Sequence, residues 1–134
     1  MKEYILDIDH MVGLMAGNET LVRRIGKVKK EESRFGITLA ILGGLYFLVR
    51  SSQQMDINMA ALTELVSDLQ IWEFDRGSAE ITGEILTQMH SLNRPITPIE
   101  AQIAAVARQR QAVLLTGLER FIYVRDIELQ NWLR

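Results

Sequence analysis

The chain has 134 residues, of which 48% are hydrophobic and 24% charged. This balance excludes a disordered polymer and is long enough to bury one sizeable core. A net charge of −2 gives no bulk drive toward nucleic acid, so any such binding needs a local patch, and the lack of cysteine excludes disulfides, thiolate metal sites and Cys nucleophiles.

A cysteine-free chain suits a reducing cytoplasm. Met1 to Asp7 carries acids at once and does not read as a secretory signal. Within it, Tyr4-Ile5-Leu6 is a short apolar run consistent with a buried strand ending at Asp7. Met11, Leu14 and Met15 then recur at helical spacing up to Gly17. Asn18 can cap a second helix on which Leu21, Ile25 and Val28 share a face. Phe35 to Thr38 can form a second strand.

The most apolar stretch, residues 36–49, is shorter than the roughly 20 residues a membrane-spanning helix needs, so it reads as a buried helix reaching Arg50. After a polar break, Asp56 is placed to cap a helix carrying Ile57, Ala61, Leu65 and Leu69 on one stripe. Ile71 to Phe74 alternates like a strand. Asp75 then starts a helix with Ile81, Ile85, Met89 and Leu92 on one face. Thr97-Pro98-Ile99-Glu100 opens another, predicted to turn Ile99, Ile103, Val106 and Ala107 inward. Ala112 to Leu115 reads as a strand, and Ile127 to Leu129 as a last edge strand.

Strands separated by helices require parallel crossovers, so the pattern predicts one three-layer α/β domain over residues 1–134, with a mainly parallel sheet of four to five strands. In such folds the working site lies at the carboxyl ends of the strands. Asp7 and Thr116 follow strands and belong at that edge, and Glu100 opens the helix before the fourth strand and can reach it.

Several segments, taken in order, resemble the VapC ribonuclease toxins of the PIN-domain type. Tyr4-Ile5-Leu6-Asp7-Ile8-Asp9 looks like their first strand and acidic turn. Ile37 to Gly44 matches their second motif, and Phe74-Asp75 followed by Ala79 to Gly83 their next strand-to-helix step. Ile99 to Ala105 matches the helix of their third acid, and Leu115-Thr116, Phe121 and Val124 to Trp132 match the close. The resemblance implies a PIN-like α/β/α fold and Mg²⁺- or Mn²⁺-dependent endoribonucleolytic cleavage of RNA. It also implies a homodimer, a VapB-like antitoxin as partner, no membrane and a cytoplasmic location. Asp7 and Glu100 would be the catalytic and metal-binding acids, with Asp9 assisting at the metal.

The departures concern the acids. Ile41 stands where the family has Glu, Glu100 where it has Asp, and Leu118 where an Asp or Asn is usual. Hard divalent cations require oxygen ligands, which Ile41 and Leu118 lack. Asp9 and Glu119 lie near enough to substitute in part. Glu100 also fits a capping box that needs no metal, and Asp7 alone fits a helix cap. His10 reads as an exposed histidine beside the acids. Arg23, Arg24 and Lys27 belong to the one basic cluster, which could grip RNA phosphates or serve as a solvated helix face balanced by Glu31 and Glu32. Leu45, Tyr46 and Val49 on the apolar helix are expected at a partner or dimer surface. Two readings follow, a nuclease with weakened or lost activity and a PIN-fold interaction module without catalysis.

Overall fold

The computed structural model describes residues 1–134. Five parallel strands form one sheet: β1 (Lys2–Leu6), β2 (Ser33–Thr38), β3 (Gln70–Trp72), β4 (Val113–Leu115) and β5 (Glu128–Gln130). Six helices connect and cover them: α1 (Ile8–Met15), α2 (Glu19–Val28), α3 (Leu39–Arg50), α4 (Met55–Ser67), α5 (Arg76–Ser91) and α6 (Pro98–Arg110). A short 3-10 segment, Glu119–Tyr123, joins β4 to β5. The result is the expected α/β/α architecture with its sheet wholly parallel.

The strand order is β3-β2-β1-β4-β5. The chain winds outward from β1 through β2 to β3, then crosses back to place β4 on the other side of β1. The crevice between β1 and β4 is therefore the topological switch point, where connections leave in opposite directions and open space for a site. Asp7 and Thr116 stand there as the residues directly after β1 and β4. The Asp7 amide donates to the Leu115 carbonyl at 3.0 Å, so the two strand ends stay laced together one residue past the ladder.

The core explains why these segments became these elements. Ile5, Leu6, Ile37, Leu114 and Leu115 are fully buried, as a parallel sheet covered on both faces demands. Asn18 caps α2 by accepting from the Leu21 amide at 2.9 Å, and Thr38 caps α3 by accepting from Ile41 at 3.2 Å. Asp75 and Ser78 form a reciprocal capping box on α5, and Thr97 and Glu100 form one on α6. No helix is long and apolar enough to cross a membrane. The stretch read as a buried helix is β2's last residues plus most of α3.

Several helix faces differ from the periodicity reading. α4 starts at Met55 with Gln54 at its cap and no side-chain cap bond, so Asp56 lies in the first turn and does not cap it. Leu62 is the buried residue of α4, while Ile57 and Ala61 face solvent. Ile99 and Leu92 are likewise exposed. Each lies at or near a helix end or on a helix packed along one side only, where a stripe extends past the surface that covers it.

Gly36 marks the tightest backbone approach in the sheet. A Cβ there would lie 2.6 Å from the Gln70 carbonyl oxygen and 2.7 Å from the Trp72 ring. Both obstacles belong to the neighbouring strand β3, which cannot move without breaking its pairing with β2. Gly36→Ala is expected to destabilise the fold by about 1–3 kcal/mol, read as a lower urea midpoint.

Candidate acidic site

Asp7 is the residue the fold buries most unusually, with 3% of its surface exposed. It caps α1: Oδ1 accepts from the Ile8 amide at 2.8 Å. Its Oδ2 accepts the Thr116 hydroxyl at 2.7 Å, across the β1–β4 crevice. The Thr116 hydroxyl oxygen in turn accepts from the Leu118 amide at 3.1 Å, so its own proton is directed at Asp7. Burial pushes the Asp7 carboxyl above its ordinary value, outweighing the Thr116 and Ile8 hydrogen bonds, which favour the charged form.

Asp9 lies one helical step on. Its Oδ1 is 2.8 Å from His10 Nδ1, and its Oδ2 accepts from the Gly117 amide at 2.7 Å. His10 is fully buried, which corrects the expectation of an exposed histidine. Its Nε2 accepts from the Trp132 amide at 3.0 Å, so Nδ1 carries the proton given to Asp9. The residue therefore ties the carboxyl-terminal segment to the edge of the site. Burial opposes ionisation of Asp9, but the bonds from His10 and Gly117 prevail and hold its carboxyl below the usual range. A side chain at Gly117 would meet Asp9 Oδ2 at 2.9 Å, so this contact depends on glycine.

Glu100 takes the capping-box role weighed for it and turns its other oxygen to Arg120. Oε1 accepts from the Thr97 amide at 2.9 Å. Oε2 receives the Arg120 guanidinium, with Nε at 2.7 Å and a terminal nitrogen at 2.5 Å. Glu100 itself is buried, while the Arg120 side chain is about half exposed. Burial raises the Glu100 carboxyl, yet the hydrogen bonds from Arg120 and Thr97 and the Arg120 charge outweigh it and hold it below the usual range. On the other side of the pair, Glu100 foremost, and more weakly the charge of Asp7, stabilise protonated Arg120.

The sequence reading omitted Arg120, and the contact that signals it exists only in three dimensions. Ile41 is fully buried in the core and Leu118 is part-exposed, and neither provides an oxygen. Glu119 is exposed at the start of the 3-10 segment. Each of the six carboxylate oxygens of Asp7, Asp9 and Glu100 already pairs with a donor of the protein. No group of three or more acids or histidines is arranged to hold a metal ion. The donor set thus does not fit the divalent site that the family resemblance implied: Asp7 and Asp9 are engaged within the fold, and Glu100 is paired with Arg120.

The remaining predicted residues lie elsewhere. Arg23, Arg24 and Lys27 are exposed on α2, and the Arg24 guanidinium sits 4.8 Å from the centre of the Trp132 ring. Trp132 packs against Tyr4 and Phe35, so Arg24 has a structural contact besides its charge. Leu45 and Val49 turn into the core, which corrects their placement on a partner surface. The exposed side of α3 is formed by Tyr46, Phe47 and Leu48. Leu45 and Val49 reach only the floor of a groove of about 270 Å³ that Val12, Met15 and Leu48 also line.

A doubly wound parallel sheet with paired carboxylates at its switch point defines an α/β protein with an acidic carboxyl-edge site. The PIN domain family profile matches residues 11–126. Two tRNA(fMet)-specific endonucleases named VapC are similar along nearly the whole length: one from Shigella flexneri is 24% identical over 98% of this chain and 99% of its own, and one from Salmonella typhimurium is 23% identical with the same coverage. Among solved structures, VapBC2 from Rickettsia felis bound to a promoter DNA fragment superposes with a TM-score of 0.91 at 22% identity, over 97% of this chain and 98% of the other. DNA-bound VapBC from Salmonella typhimurium gives 0.89 at 23% identity, over 98% and 99%. The chain belongs to the PIN-domain family.

The elevated Asp7 carboxyl makes a prediction with a definite sign. A carboxyl whose folded value is raised favours the fold while protonated and costs it stability as pH rises through the ordinary carboxylate range toward the folded value. Asparagine keeps the shape and has no charge to desolvate. Asp7→Asn is expected to raise the Tm by a few degrees at pH 7, with the gain shrinking as pH falls below the ordinary carboxylate range. Thermal unfolding of both proteins across that range checks it; a destabilised variant at pH 7 would contradict the role given to burial.

Proposed function

We propose that this chain is a VapC-like toxin-type PIN protein in which the nuclease chemistry of the family is weakened or lost, and which acts chiefly through protein partners. The observation that supports this most is the state of the acids. Ile41 and Leu118 remove two of the usual oxygen donors, and Arg120 neutralises Glu100. A phosphodiester nuclease of this type needs clustered carboxylates to hold Mg²⁺ or Mn²⁺, which activates water and offsets charge on the scissile phosphate. Asp7 and Glu100, with Asp9 beside them, are what this chain retains of that machinery.

The relatives point to the partners. Three of the similar solved structures are VapBC complexes, two of them bound to DNA. By that likeness the partner is a VapB-like antitoxin, and its contact surface on this chain is α3, where Tyr46, Phe47 and Leu48 leave apolar surface uncovered. A homodimer using the same helix fits the same reading. RNA as the family substrate and a cysteine-free chain both suit a cytoplasmic location.

The experiment is RNA cleavage by the purified chain with Mg²⁺ or Mn²⁺, set against Asp7→Asn. The expected result is a rate at least about 10³-fold below that of an intact VapC nuclease, with no part of it lost in Asp7→Asn, since removing metal-held transition-state stabilisation costs of that order. Efficient cleavage abolished by Asp7→Asn would establish a working nuclease and end the reading.

A further inference from the structure

We propose that Arg120 is the resident cation of the acidic site: its guanidinium occupies Glu100, the acid through which a divalent metal would be shared, and the site remains metal-free while Arg120 is there. This rests on the reading above that the site is short of acids, and it adds the group that compensates the acids still present.

Three observations converge. First, buried carboxylates need a counter-charge, because desolvation penalises an unpaired anion heavily. Asp7 and Glu100 are both buried, and two of the usual oxygen donors have been replaced by Ile41 and Leu118. Second, two nitrogens of the Arg120 guanidinium converge on Glu100 Oε2, the shorter at 2.5 Å, which makes a close charge-assisted pair. Third, the oxygens themselves are engaged. Oε1 of Glu100 holds the Thr97 amide, and the two oxygens of Asp7 hold Ile8 and Thr116. A metal entering here would have to displace Arg120 and bring two positive charges against a third. Guanidinium remains protonated at any physiological pH, so it does not step aside by titration.

The backbone explains how arginine came within reach. Gly117 closes on Asp9, and the Thr116 hydroxyl anchors the Leu118 amide, so the chain turns immediately into the 3-10 segment that carries Arg120. Phe121, fully buried, fixes that segment to the core, leaving Arg120 to lie back over the amino-terminal turn of α6.

The test replaces this one part-exposed side chain, Arg120→Gln, with Arg120→Lys as the charge-retaining control. Mn²⁺ binding is followed by calorimetry and by the Mn²⁺-induced change in Tm, neither of which requires catalysis. The unaltered chain and Arg120→Lys are expected to show no saturable binding at millimolar Mn²⁺, while Arg120→Gln gains affinity by at least about tenfold and is stabilised by the ion. Three results would overturn the proposal: saturable Mn²⁺ binding by the unaltered chain, a folded Arg120→Gln with no gain, or an Arg120→Lys that binds as Arg120→Gln does. A folded Arg120→Gln with no gain removes the role of Arg120 yet leaves the weakened-nuclease reading standing, because that reading fails only on Asp7-dependent RNA cleavage.

Discussion

A hydrogen bond of 2.7 Å between the Thr116 hydroxyl and a carboxylate oxygen of Asp7 joins the ends of β1 and β4, at the place where the sheet reverses its direction of growth. The crevice there has no strand to fill it, so backbone and side-chain polar groups of both strand ends must satisfy one another. Asp7 does this by capping α1 with one oxygen and holding Thr116 with the other. The start of α1, the turn after β4 and the position of the 3-10 segment all follow from that junction. So does the cost: a carboxylate is kept in a place that disfavours its charge.

In a metal-dependent site of this kind, the repulsion among buried acids is relieved by the ion, and the acids are held apart to receive it. Here the relief comes from within the chain. Ile41 is packed in the core, Leu118 offers no oxygen, Asp9 turns to His10 and Gly117, and Glu100 takes Arg120. Each of the three acids at this edge thus holds a helix cap or a turn.

Much of the architecture was legible in the residues. Alternation of apolar strands with amphipathic helices required parallel crossovers, and the caps at Asn18, Asp75 and Thr97 stand where their side chains can accept amide protons. The faces of α3 and α4 were less legible. The apolar and glycine run from Leu39 to Val49 gives no contrast from which to read a buried side, so Leu45 and Val49 could be told from Tyr46 and Phe47 only by the packing of neighbouring elements. On α4, Ile57 and Leu62 are both apolar, and only the latter has a layer above it.

The sequence by itself determined which acids this protein possesses and which it lacks, because ligand chemistry is a property of residue type: isoleucine and leucine cannot coordinate a hard cation wherever they lie. It also placed Asp7 and Thr116 at the carboxyl edge of the sheet, since each directly follows a strand; that those two strands are neighbours was decided by the tertiary structure. Only the tertiary structure decided how the remaining acids are used. Glu100 and Arg120 are twenty residues apart, on a helix and on a 3-10 turn, and His10 meets the Trp132 amide across almost the whole chain. Contacts of that separation are set by how layers pack, and no local pattern of residues encodes them.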